Sequence, residues 1–137
     1  VINGPNLNLL GLREPAIYGN RDFKALETYI LENGLDLGLQ IELFQSNHEG
    51  AIIDKLHSAR QKFDGVIINA GAYTRYSYAI RDAISAIKIP CIEVHISNVY
   101  ARDEFRKTSV IAPVCKGSIC GFGFMSYYLA VMALSEM

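Results

Sequence analysis

The chain has 137 residues, half of them hydrophobic and a fifth charged, enough to bury roughly two-thirds of the surface an unfolded chain exposes. A net charge of −1 and a pI near 6.3 give no basic field for nucleic acid or anionic lipid, and no apolar run is long enough to span a bilayer. Cys91, Cys115 and Cys120 form no CxxC pair and cannot all pair within one chain, so reduced thiols in a cytoplasmic protein are expected.

Taken in chain order, short β-branched runs alternate with helical segments, with no linker, repeat or low-complexity stretch. A single domain over residues 1–137 is expected. Val1–Ile2 reads as the tail of a first strand, so a few leading residues are expected to be absent. Asp22 is a suitable N-cap for a helix with Phe23, Leu26 and Ile30 on one face. Gly38 is its expected stop, with Gly34 as an earlier alternative. Residues 40–45 read as a second strand and residues 50–63 as a helix. The continuous apolar run at 65–69 is typical of a strand covered on both faces. A helix over 77–87 and a fourth strand over 90–95 follow. A short fifth strand is placed within 109–115, and a closing helix over 123–137.

Such alternation implies an α/β fold, a parallel sheet with helices on both faces. In these sheets ligands bind beyond the carboxyl ends of the strands. Polar residues collect at those ends: Asn6 after the first strand, Asn47 after the second, Asn69 after the third, and His95 and Ser97 after the fourth.

The segment Asn3–Tyr18 (NGPNLNLLGLREPAIY) holds more polar groups than its turns require for shape. Loop tyrosines commonly end as interfacial aromatics, and spacing alone does not make Tyr18 catalytic. Electrostatics favours catalysis: a phenol ionises near pKa ~10 and needs a cation beside it to act as a base. Arg13, on the same loop, carries that charge. His95, at a buried strand's end beside Glu93, is as suited to general acid work as to a structural bond. His48 and His57 lack nearby partners. Arg102 and Arg106 are four apart on an expected helical turn, where a solvated ion-paired face is the commoner outcome. Asp82 has the same plain explanation beside Arg81. Glycines 117, 121 and 123 lack the spacing of a phosphate loop. No metal-ligand spacing and no nucleophile elbow is present.

The blocks NGPNLNLLG, REPAIYG, FQSNHEG, INAGAYT, IRDAI and IEVHISNVYARDEFR resemble, in order across nearly the whole chain, the type II 3-dehydroquinate dehydratases. The resemblance implies a flavodoxin-like sheet of five parallel strands in the order 2-1-3-4-5. It implies dehydration of 3-dehydroquinate to 3-dehydroshikimate, in the shikimate pathway or in quinate breakdown, without metal or cofactor. By position, Tyr18 matches the family's base, and Arg13 the loop arginine that helps ionise it. Asn6 matches the asparagine that supports the enolate oxygen through a water, and His95 the acid that protonates the departing hydroxyl. Asn69 matches a residue that binds substrate hydroxyls and orients that histidine. The backbone at Ile96 and Ser97 matches the carboxylate-binding edge, and Arg106 a hydroxyl contact. Arg102 corresponds to a basic residue near the mobile lid. Asp82 resembles the aspartate that reaches a neighbouring subunit's site, implying trimers assembled into a dodecamer.

One departure stands out: Arg75 occupies a position where the family usually has a substrate-binding histidine. Arginine is longer, permanently charged and offers five donors in a planar fork. It can keep a substrate contact or leave the pocket altered, and the latter would fit a non-catalytic, small-anion-binding member of the fold. Two further alternatives are a flavin- or phosphate-binding flavodoxin-like protein and the same dehydration through a Schiff base. The first calls for a Ser/Thr-rich opening loop. The second calls for a lysine in the site, whereas the lysines fall on expected helix surfaces and late loops.

Overall fold

In a computed structural model, which describes residues 1–12, 14–18 and 20–137 (Tyr18 by its backbone alone), strands and helices alternate along the chain. They are β1 (Ile2–Asn3), α1 (Pro15–Tyr18), α2 (Phe23–Asp36), β2 (Phe44–Gln45), α3 (Glu49–Ala59), β3 (Val66–Asn69), α4 (Tyr78–Ile87), β4 (Cys91–His95), β5 (Gly117–Cys120) and α5 (Met125–Ser135). All pairings are parallel and the strand order is β2-β1-β3-β4-β5. This is the flavodoxin-like arrangement.

Side-chain alternation along the strands divides the core in two. Val66, Ile68 and Cys91 pack with Ile52 and Leu56 of α3 and Ile80 and Ile84 of α4. Ile67, Ile92 and Val94 face the other way, onto Leu26 and Ile30 of α2 and Tyr127, Ala130 and Val131 of α5. β3 and β4 are buried at every position, as strands covered on both faces must be.

Local signals set the helix ends. The Asp22 carboxylate accepts the Ala25 N–H at 2.8 Å, and Ser77 accepts that of Ile80 at 3.0 Å; both are N-caps. Gly38, at φ +73°, lies just beyond α2 in the left-handed conformation that terminates helices. α3 ends at Ala59 rather than near 63, because the Ala59 carbonyl accepts both Lys62 and Phe63 N–H groups, closing the chain into a turn.

Three further expectations need correction. The fifth strand is Gly117–Cys120, not within 109–115. Residues Ala112–Val114 form a 3₁₀ turn containing Pro113, and proline has no N–H to give a ladder. Pairing with β4 begins only where the Lys116 N–H reaches the Cys91 carbonyl at 2.7 Å. Arg102 and Arg106 do not share a helical turn. Arg102 has extended backbone between two separate 3₁₀ turns, Val99–Ala101 and Glu104–Lys107. β2 is also shorter than expected, pairing with β1 only at Phe44–Gln45.

The three cysteines are free thiols. A hydrogen bond with Cys115, then burial, raises the Cys91 thiol well above its usual value. No helix among the described residues is long and apolar enough to cross a membrane.

Candidate active site at the carboxyl ends of the strands

The parallel register brings the polar residues to one edge. Asn3 pairs with Gln45 on one side and Asn69 on the other, and His95 pairs with Cys120. The first layer of this edge is a buried hydrogen-bonded group. The Tyr127 hydroxyl, fully buried on α5, donates to Asn3 Oδ1 at 2.5 Å and accepts from Asn69 Nδ2 at 3.0 Å. Asn69 Oδ1 accepts the Gly71 N–H at 3.2 Å. Both amides are thereby oriented, and burial pushes the Tyr127 phenol well above its usual value, so the hydroxyl keeps its proton as a donor.

The second group is acidic and basic. His95, 6% exposed, and Glu93, 1% exposed, lie two apart on β4 and therefore on one face. His95 Nε2 is 2.5 Å from Glu93 Oε1. The other carboxylate oxygen, Oε2, accepts the Ser109 hydroxyl at 3.0 Å. A buried carboxylate is costly unless every lone pair finds a donor. Here an imidazole and a hydroxyl hold its two oxygens.

Around this pair lie three guanidinium groups. Arg75 Nη1 donates to the Thr108 carbonyl at 2.8 Å. Burial lowers the Arg75 pKa, Glu93 opposes that shift, and Arg106 and Arg102 add to it, so Arg75 senses the charge of all three. Arg106 Nε lies 3.6 Å from Asp103, beyond hydrogen-bond length, and is buried without a hydrogen-bond partner among the described residues, as is Arg75 Nε. Arg102 reaches Ser97 Oγ at 3.4 Å and Glu14 at 3.2 Å. That second contact ties the segment carrying Arg13 and Tyr18 to the end of β4.

Asn6 sits in the left-handed conformation at φ 69°, donating its N–H to Asn47 Oδ1 at 3.0 Å. The Tyr73 hydroxyl donates to the Asn47 carbonyl at 2.9 Å, so the loops after β1, β2 and β3 are joined. Ile96 is buried beyond His95, its carbonyl accepting the Gly123 N–H at 3.0 Å. Asp82 is exposed on α4, outside the network just described. Arg13 and the Tyr18 side chain lie outside the described residues; the Tyr18 backbone ends α1. His48, the residue after Asn47, and His57 on α3 are both exposed. Among the described residues no group of three or more His, Cys, Asp or Glu side chains gathers as metal ligands.

Sequence reasoning passed over three members of this edge. Glu93 carried a readable signal, as a carboxylate in an otherwise apolar buried strand at i−2 from His95. Ser109 and Tyr127 reach the site from 16 and 58 residues away, with no local pattern to mark them.

The fold is a parallel α/β sheet whose buried Glu93–His95 pair stands at the carboxyl edge, where proteins of this class bind their ligands. The comparisons specify it further: the chain belongs to the dehydroquinase class II family, whose pattern it matches over residues 1–135. It is 60% identical to a 3-dehydroquinate dehydratase of Caldicellulosiruptor saccharolyticus, covering 100% of this chain and 95% of that protein. Among solved structures, the type II dehydroquinase of Butyrivibrio crossotus superposes with a TM-score of 0.96 at 53% identity, covering 97% of this chain and 93% of the other. That of Propionibacterium acnes gives 0.96 at 42% identity, covering 99% and 94%.

Proposed function

We propose that this chain is a hydro-lyase that dehydrates 3-dehydroquinate to 3-dehydroshikimate through an enolate, without a cofactor, as a step of aromatic biosynthesis. The observation that carries the reading is the buried Glu93–His95 pair at the end of β4, in a chain whose relatives are named 3-dehydroquinate dehydratases.

Tyr18, ionised beside Arg13, removes the proton from the carbon next to the ketone. The electron pair moves onto the ketone oxygen, and Asn6, through a water, supports the enolate that forms. Preorganised donors of this kind act where charge develops, without reorganising at the moment of reaction. The enolate then collapses, the carbon–oxygen bond to the adjacent hydroxyl breaks, and His95 gives that oxygen a proton so that it departs as water. A proton passes back from Tyr18 to His95 to restore the resting state. Glu93 suits His95 to this role, because its Oε1, 2.5 Å from Nε2, holds the ring in one orientation.

The remaining assignments concern binding. Asn69, fixed by Tyr127 and Gly71, presents its amide to substrate hydroxyls. The backbone at Ile96 and Ser97 receives the carboxylate. Arg106, whose buried Nε lacks a hydrogen-bond partner among the described residues, contacts a hydroxyl, and Arg102 closes the lid through Glu14. Arg75 lies close enough to the Glu93 charge to sense it and keeps a substrate contact beside it. Asp82, exposed on α4, serves a neighbouring site in trimers assembled into a dodecamer, for which sedimentation would show a mass twelve times that of the chain.

Arg75 also favours a second reading, a small-anion-binding member that has lost turnover, since its guanidinium is already engaged with Thr108. The two are separated by ultraviolet absorbance: the conjugated product absorbs, so purified protein plus 3-dehydroquinate gives a rising signal only if turnover occurs.

A further inference from the structure

The segment 108–110 is held from both sides by the loop between β3 and α4 and by α4 itself. Arg75 Nη1 donates to the Thr108 carbonyl at 2.8 Å. The Val110 N–H donates to the Thr74 carbonyl at 2.9 Å, and Arg81 Nη1 donates to the Val110 carbonyl at 3.2 Å. The residue between these clamps is Ser109, whose hydroxyl donates to Glu93 Oε2 at 3.0 Å. Glu93 Oε1 in turn faces His95 Nε2 at 2.5 Å. A continuous line of bonds therefore runs from Arg75, Thr74 and Arg81 through the strap to Ser109, Glu93 and the His95 ring.

We infer that Ser109 is a positioning residue for the reaction, holding the Glu93 carboxylate in the rotamer that aligns the His95 imidazole. The inference rests on the reading of His95 as the acid. A carboxylate bonded only through Oε1 rotates freely about its last torsion, which is broad. A second donor on Oε2 removes that freedom, and charge-assisted bonds are the strong ones. Glu93 fixes which ring nitrogen carries the proton, because Oε1 accepts only from a protonated Nε2. Arg75 acquires a role as well: with Thr74 and Arg81 it sets where the strap, and hence the serine hydroxyl, stands.

Ser109 has a second bond, accepting the Ala112 N–H at 3.0 Å, so a loss of stability alone would not establish positioning. The test compares the parent, Ser109→Ala, Ser109→Thr and His95→Gln in three measurements. These are kcat and KM for 3-dehydroquinate, the thermal midpoint, and the low-field proton resonance of the His95 Nε2–H. Ser109→Ala is expected to lower kcat about tenfold, the weight of one hydrogen bond to a charged group, with KM near the parent's. The low-field resonance should weaken or move upfield, and Ser109→Thr should restore both. A Ser109→Ala protein with an unmoved resonance overturns the inference, whatever its kcat or thermal midpoint, and leaves Ser109 as a cap for the 112–114 turn. If His95→Gln turns over like the parent, the acid assignment fails by itself, and the resonance in Ser109→Ala still decides whether the serine positions the ring.

Discussion

At the residue scale, the site depends on polar groups that are costly to bury unless bonded, and Asn3, Asn69, Tyr127 and Glu93 at its centre each have partners. Tyr127 shows the cost directly. Tyr127→Phe would leave Asn3 Oδ1 and Asn69 Nδ2 without their shared partner, and an orphaned buried group costs about 1–3 kcal/mol. Urea denaturation should show that loss, with a fall in activity as the Asn69 amide loses its orientation. Arg75 is a test of a different kind. Arg75→His removes the Thr108 clamp and the charge near Glu93. Both proteins are expected to turn over 3-dehydroquinate with different KM values; turnover by the histidine form alone would make the parent a degenerate member of its family. Much at this scale was legible beforehand: Asn69 and His95 stand at the strand ends where their sequence positions put them. Ser109 and Tyr127 were not, since the contacts that make them matter are made only when distant elements pack.

At the element scale, the close approach of β1 to β3 decides how tightly the edge is built. The Gly4 N–H donates to the Asn69 carbonyl at 2.7 Å, and a Cβ at Gly4 would stand 2.6 Å from the backbone carbon and oxygen of Ala70. Backbone cannot yield as a side-chain tip can. Gly4→Ala should therefore separate the two strand ends, costing about 1–3 kcal/mol as overpacking does, and lower kcat by displacing Asn3 and Asn69; calorimetry and steady-state rates would show both. The alternation of strands and helices was readable because apolar runs and caps are local properties. β5 was not. Its glycine and serine are poor strand formers, and only the neighbouring edge of β4 makes Gly117–Cys120 a strand, while the more apolar 109–115 stretch is diverted by Pro113 and the Ser109 contact. The separation of Arg102 from Arg106 was hidden for a similar reason, because a four-residue spacing does not reveal a break in the backbone at Arg102.

At the scale of the whole molecule, charge adds to the fold without defining it. Glu42 accepts hydrogen bonds from Lys55 and Lys62, which lower its pKa from 4.5 to about 2. A depressed carboxylate contributes stability that is present above its unfolded pKa and lost as pH falls through the folded value. Thermal midpoints should therefore drop between about pH 4.5 and about pH 2, and Glu42→Gln should reduce that dependence. The proposed mechanism is one reaction run by this chain's own side chains. Its most direct test is the initial rate of ultraviolet absorbance increase with 3-dehydroquinate, measured for the parent, Tyr18→Phe and His95→Gln. The parent should turn over, and each variant should lose about 10²–10⁴-fold in kcat with its fold intact. A parent that binds substrate yet gives no signal at any pH, or a Tyr18→Phe protein as fast as the parent, would contradict it.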